Sequence, residues 1–238
     1  MFPLRDSIPS SRRPVVNVTI IAACVAAFLF ELSLGPRLEG FIRAVGFVPA
    51  RVFAAGSDGI GVFAALRSLG SSMFLHGGWL HLIGNMWFLW VFGDNVEDAL
   101  GHLGYLVFYL FCGVVAAVAQ GLVSPTSTVP MVGASGAIAG VLGAYLVWYP
   151  WARVRTLIFL GIFFTTADLP APVFLVLWFV VQFFSGTLAL ASAGAVAGGV
   201  AFFAHIGGFL AGALLAFWLR HSGRVRPASR YVSPWERP

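Results

Sequence analysis

ALGHLGYLVFYLFCGVVAAVAQGLVSPTSTVPMVGASGAIAGVLGAYLVWYPWA, residues 99–152, runs for 54 residues without one Asp, Glu, Lys or Arg. A helix needs about 20 apolar residues to cross the hydrocarbon core of a bilayer. The run therefore holds two crossings, and Ser124-Pro125-Thr126-Ser127-Thr128 supplies the break between them. Leu169–Leu219 is a second charge-free tract of 51 residues, broken by small residues from Ala191 to Gly199. Ser68–Gly93 and Pro14–Phe30 each hold one crossing. The expected spans are 14–34, 76–93, 103–123, 135–151, 170–189 and 200–219. Thr156–Ala167 is apolar but only 12 residues long, too short to span, and reads as a buried connector or an extension of the fifth helix. The fold class is all-α: a polytopic membrane protein with a six-helix bundle over 14–220. A cytoplasmic segment, 1–13, precedes it and a basic tail, 221–238, follows. No seventh span or appended soluble domain is expected.

Composition agrees. Of 238 residues 59% are hydrophobic and 10% charged, and mean hydropathy is +0.91. A soluble domain carries about 25% charged residues. A water-soluble enzyme, a disordered chain and a nucleic-acid binder are excluded on that ground. The net charge of +5 comes from fourteen Arg and no Lys, placed at chain ends and loops. Arg5, Arg12 and Arg13 precede the first span; Arg220, Arg224, Arg226 and Arg230 follow the last. Six spans put both ends on one side, and the positive-inside rule makes that side cytoplasmic. Arg153 and Arg155 agree with this. The outer loop from Gly35 to Leu75 is the exception, with Arg37, Arg43, Arg51 and Arg67; its Phe41, Phe47, Phe53 and Phe63 suit an interfacial position. Cys24 and Cys112 lie inside apolar runs and read as buried hydrophobes. Met1–Pro14 is polar and proline-rich, unlike a cleavable signal.

Polar groups inside apolar spans face the bundle interior and default to function. They are Asn17, His76, His81, Asn85, Gln120, Ser135, Gln182 and His205. Ser135 sits in Val132-Gly-Ala-Ser-Gly-Ala-Ile-Ala-Gly140. A serine among such small residues suits a sharp entry into a helix, with free backbone N–H groups nearby for a developing oxyanion. It also suits a plain N-cap. His205 is a candidate general base or a buried structural histidine. It lies about six residues into a span entered from the outer side, hence about 9 Å deep, so it can meet Ser135. Gly208 and Gly212 share its face, and Gly136, Gly140 and Gly143 line the fourth span; such faces let helices approach closely. His81 and Asn85 are four apart on one helical face, with His76 five residues before His81. They read as an interhelical hydrogen-bond network, as oxyanion donors beside Ser135, or as a metal site; the last lacks a third ligand at suitable spacing. Asp94, Glu97, Asp98 and Asp168 lie toward the cytoplasmic side, so no acid completes a triad. The constellation is a Ser–His dyad whose base is oriented by packing.

Three motifs, His76-Gly-Gly-Trp-Leu-His81-Leu-Ile-Gly-Asn85, Gly133-Ala-Ser-Gly136 and Ala204-His205-Ile-Gly-Gly208-Phe-Leu-Ala-Gly212, together with Gly93-x-x-x-Glu97, resemble the rhomboid family of intramembrane serine proteases over about 14–220. The resemblance implies that Ser135 is the nucleophile and His205 its base. It makes His81, Asn85 and the Ser135 N–H the oxyanion donors, and puts His76 at the outer end of the site. The partners are transmembrane protein substrates, cut near the outer boundary, and membrane lipid. No metal, nucleotide or other cofactor is implied, and Glu97 is a structural acid. Entry from lipid passes between the second and fifth spans, where Trp178 and Phe179, with Phe183 and Phe184, would form a gate. The expected location is a bacterial plasma membrane. Two departures stand out. A tyrosine often follows the nucleophile by four residues, where Ala139 stands here, and the Trp-Arg pair of the first outer loop is missing. A catalytically silent binder of transmembrane helices would lack Ser135 or His205. A transporter would show polar or broken helices near the midplane in related halves.

Overall fold

A helix that starts inside a membrane must find partners for its first backbone N–H groups, because no water is there to take them. The first long helix, α1 (Val15–Ser33), finds them in one carboxylate: Val16 and Asn17 donate to Glu97 at 2.9 and 2.7 Å. The Asn17 side chain then donates to Leu89 O (3.0 Å) and accepts from Tyr105 (2.8 Å). Glu97 and Leu89 belong to α5 (Trp79–Leu100) and Tyr105 to α6 (His102–Val123). Three helices are thus locked at one end of the bundle. Gly101 alone joins α5 to α6, at φ +72°, a conformation that a side chain would strain. Glu97 takes the structural part expected of it.

The computed structural model describes residues 1–53, 61–161, 163–191, 201–225 and 227. The chain is mostly helical. Between α1 and α5 lie α2 (Leu38–Val45), α3 (Pro49–Phe53) and α4 (Val62–Ser72). They fold as three short helices packed toward α6. Phe53 fits against Gly121 of α6, and Met73 against Gly113. After α6 come α7 (Ser135–Trp148), α8 (Ala171–Ala191) and α9 (Phe202–His221). Helices therefore stand at all six expected places. Among the described residues α1, α6 and α9 are long and apolar enough to cross a membrane, while α7 and Ala171–Phe184 are shorter apolar helices. α5 is long but ends on Asp94, Glu97 and Asp98. Of the break expected at Ala191–Gly199, 192–200 lie outside the described residues, as do 54–60 and most of the tail at 221–238.

One expectation is overturned. Thr156–Ala167 is neither a buried connector nor a continuation of the fifth helix. It is most of an antiparallel hairpin, β2 (Arg153–Leu160) and β3 (Phe163–Pro170), so the fold is not purely helical. The run is rich in β-branched and aromatic residues, which suit strands. Gly161 turns at φ +68°. The N-terminal segment completes the sheet: β1 (Phe2–Asp6) pairs antiparallel with β2, with an irregularity between Pro3 and Arg5. β1 runs along α5, with the Asp6 carboxylate bonded to Asn95 (2.8 Å) and Phe2 against Trp87 (5.3 Å).

The centre of the bundle is α7, whose residues Gly136–Tyr145 are all buried. It crosses α9 at backbone contact. A Cβ on Gly208 would lie 2.0 Å from Gly136 O, and one on Gly212 would lie 2.0 Å from Gly140 O. Ala116 and Cys112 of α6 press on Gly136 and Gly140 from another side. The small-residue faces expected on these two spans are the ones that meet, and they bring the start of α7 to the start of α9.

Candidate active site

The segment leading into α7 is held from two directions. Phe47 and Met131 exchange backbone hydrogen bonds at 3.1 and 2.7 Å, and Gly133 N–H donates to Ser72 O at 2.9 Å. Gly133 has φ +130°. Ala134 precedes the helix, and Ser135 is its first residue. On the facing helix Ala204 N–H donates to the Gln120 side chain at 3.3 Å. His205 follows, three residues after Phe202. It is therefore about 4.5 Å along the axis from the start of α9.

The two side chains meet. Ser135 Oγ and His205 Nε2 are 2.7 Å apart. His205 is buried and Ser135 half-buried. The other ring nitrogen, Nδ1, is 2.7 Å from Gln182 Oε1 on α8. The ring therefore has a hydrogen-bonding amide beside it in addition to the expected packing. Its rings are Trp178, 5.9 Å away at 37°, and Phe202, edge-on at 6.5 Å. Trp178 and Phe202 thus supply the aromatic packing around the ring. No carboxylate is bonded to His205 among the described residues.

His81 lies next to this pair. Gly77 N–H donates to its Nδ1 at 3.4 Å, which leaves Nε2 to carry the ring proton. A Cβ on Gly133 would lie 2.7 Å from that Nε2 and 3.6 Å from Ser135 Oγ, so both atoms face one small space. Asn85 is one turn further along α5, buried, and its Nδ2 has no protein hydrogen-bond partner. His76 stands behind His81, ring against ring at 5.2 Å, and does not bound the cavity. Its backbone N–H donates to both oxygens of the buried Glu31 at 3.3 Å, and its Nδ1 is 3.2 Å from Phe74 O.

A cavity of about 660 Å³ joins these groups. His81, Asn85 and Phe88 bound it from α5, Ser135 and Gly136 from α7, Trp178 and Gln182 from α8, and Ala204 and His205 from α9. Between α5 and α8 runs a seam of aromatic rings: Phe88 against Phe174 and Trp178 at 6.3 and 6.5 Å, and Phe92 against Phe174 at 6.1 Å. Of the expected gate residues, Trp178 belongs to this seam, Phe179 packs on Phe209 of α9 at 4.8 Å, and Phe183 packs against Phe184 at 5.8 Å.

Three contributors escaped the sequence reading. Gln182 stood out there as a polar residue in an apolar span, but with no task. Its spacing from Trp178, i to i+4, puts both on one helical face, and that was the available signal. The Gly77 N–H and the Ser72 carbonyl are backbone groups, which leave no trace in residue identity.

Comparison with known proteins follows the same lines. A family model described as the Rhomboid domain matches residues 64–222. RHOMBOID-like protein 5 of Arabidopsis thaliana is 32% identical over 209 residues, 86% of this chain and 56% of that protein. Rhomboid-like protein 11, chloroplastic, of the same plant is 36% identical over 104 residues, 42% of this chain and 37% of that one. Rhomboid protease GluP of Bacillus subtilis (strain 168) is 43% identical over 72 residues, 30% and 14%. The matched stretches thus span 14% to 56% of these relatives' lengths.

Proposed function

The chain belongs to the rhomboid family, and from that premise we propose that it is an intramembrane serine endopeptidase cutting transmembrane helices of other proteins near the outer face of the bilayer. The observation that carries the proposal is the 2.7 Å contact of Ser135 Oγ with His205 Nε2 inside a cavity that also presents two side-chain donors. The substrates are membrane proteins. On this reading α1, α5, α6, α7, α8 and α9 all cross the membrane, and the arginines that precede α1 and follow α9 support a cytoplasmic N-terminal segment and tail.

Ser135 Oγ attacks the scissile carbonyl carbon while His205 Nε2 takes the hydroxyl proton. The carbonyl oxygen becomes an oxyanion, met by His81 Nε2–H, Asn85 Nδ2–H and the Ser135 backbone N–H, which is free because Ser135 opens a helix. Collapse expels the amine, which leaves with the proton from His205. Water then attacks the acyl-enzyme by the same steps in reverse order of partners, returning the proton to Ser135. A helical substrate must unwind first, since its peptide carbonyls are tied up in its own hydrogen bonds. It enters by parting the aromatic seam between α5 and α8.

The test is labelling of the purified chain with a serine-reactive fluorophosphonate, the adduct mapped by mass spectrometry, beside His205→Ala. An adduct on Ser135 that disappears in the variant is the expected result. A folded wild type that resists several probes would instead favour a silent binder of transmembrane helices.

A further inference from the structure

The His205 ring has two nitrogens and, when neutral, one proton. To accept the proton of Ser135, Nε2 must hold a lone pair, so the ring proton has to sit on Nδ1. A carboxylate usually enforces that arrangement. Among the described residues no carboxylate is bonded to the ring. Asp94, Glu97 and Asp98 lie at the far end of α5, and Glu31 accepts from the His76 backbone. The group facing Nδ1 is the Gln182 carbonyl at 2.7 Å.

We propose that Gln182 is the positioning residue for His205: its carbonyl accepts the Nδ1 proton, selects the tautomer that leaves Nε2 free for Ser135, and fixes the plane of the ring. The proposal rests on the dyad reading above. Gln182 and Trp178 lie one turn apart on α8, and both reach the same imidazole, one at its edge and the other at its face. α8 therefore holds the base from two sides, and the base is aligned only while α8 stands against α9. No proton passes to Gln182. The serine proton goes to Nε2 and from there to the leaving amine, and Nδ1 keeps its own throughout. An amide does this without bringing a second ionised group into a low-dielectric site, where a charge is costly. The consequence is that the imidazolium is steadied by a dipole and not by a counter-charge.

The experiment uses the full chain and measures the rate of Ser135 labelling by a fluorophosphonate from about pH 5 to 9. It compares the wild type, His205→Ala, Gln182→Leu and Gln182→Glu, with the unfolding temperature of each. Gln182→Leu keeps the shape and removes the acceptor. It should label about 10- to 100-fold more slowly, a part of the ~10²–10⁴ that a positioned base contributes. Gln182→Glu restores an acceptor and adds a charge. It should recover most of the rate, with the acid limb of its pH profile moved to higher pH. Wild-type rate and profile in Gln182→Leu would overturn the proposal while leaving the dyad intact. Equal slowing in the Leu and Glu variants, with equally lowered unfolding temperatures, would also overturn it, as the mark of a packing role. A wild type that does not label, or a His205→Ala variant that labels normally, would bring down the dyad reading and this proposal with it.

Discussion

At Gly133 two requirements meet in one residue. Its φ of +130° is one that L side chains rarely adopt, and a Cβ there would press into His81 at 2.7 Å from Nε2. Gly133→Ala should therefore push the His81 ring away from Ser135. The expected result is a fall in labelling or cleavage of about 10²-fold, the size of losing one oxyanion donor. The unfolding temperature, measured on the same preparation, should fall as well, because alanine is strained at this φ. Asn85 makes a sharper comparison. Its Nδ2 is buried without a protein partner, so removing it breaks no hydrogen bond of the resting protein. Asn85→Ala should lose about 10²–10³ in rate and keep its fold, whereas Ser135→Ala should lose all covalent labelling. An Asn85→Ala enzyme as active as wild type would remove that side chain from the oxyanion role. These residues were legible in the sequence because polar groups in an apolar span have few innocent explanations. Gln182 was visible for the same reason, yet its task was not, because a bond between α8 and α9 depends on how two helices face each other.

Helix against helix, the α7–α9 crossing decides whether Ser135 and His205 meet at all. Gly208→Ala would set a methyl 2.0 Å from Gly136 O, with backbone rather than a pliable side chain in its way. The helices must part, and the 2.7 Å Ser–His contact must lengthen. Overpacking of this kind costs about 1–3 kcal/mol. Both the unfolding midpoint and the labelling rate should drop. The periodic glycines made this crossing readable in advance. The hairpin was not, because twelve apolar residues at Thr156–Ala167 suit a helical connector by length as well as they suit two strands. Strands need about half that length, and the pairing partner is β1, some 150 residues away in the chain.

That sheet gives a pH prediction of its own. Asp6, in β1, is held up to about pKa 7, first by burial, against the opposing hydrogen bond from Tyr145 and with the nearby Asp94 adding to the rise. Its ordinary value is 3.8. Between those values the docked strand keeps a proton that the undocked strand has lost, so docking weakens as pH climbs from about 4 to 7 and is flat above. Hydrogen exchange at the β1 amides should be slower at pH 5 than at pH 8 after correction for intrinsic rates. Asp6→Asn, which keeps an acceptor for Tyr145 and Asn95 without the charge, should abolish the difference.

Over the whole molecule, the working end and the braced end are opposite. Glu97, Asn17 and Tyr105 tie α1, α5 and α6 together at one end, and the sheet ties the N-terminal segment to the connection between α7 and α8. Ser135, His205, His81 and Asn85 gather at the other. That polarity was readable from the alternation of charge-free tracts, since each span reverses direction. The support that α4 and the Phe47–Met131 pair give to Gly133 was not, because no Trp-Arg pair announced it and backbone bonds carry it. On the proposed reading, α8 is the helix that yields to admit a substrate. Trp178 then has two duties in conflict: it closes the seam against Phe88 and it steadies the ring of His205. Phe179 has a contact with Phe209 and none with His205. A small fluorophosphonate needs only an aligned dyad, whereas a transmembrane substrate also needs the seam open. Trp178→Ala should therefore slow labelling by the small probe, because the base loses its face contact. Phe179→Ala should leave that labelling near wild type and raise cleavage of a transmembrane substrate in vesicles, because α8 is held less firmly to α9. Equal effects of the two variants on both readouts would mean that α8 does not gate. Unchanged or lower cleavage in a folded Phe179→Ala would mean that substrate enters by another side.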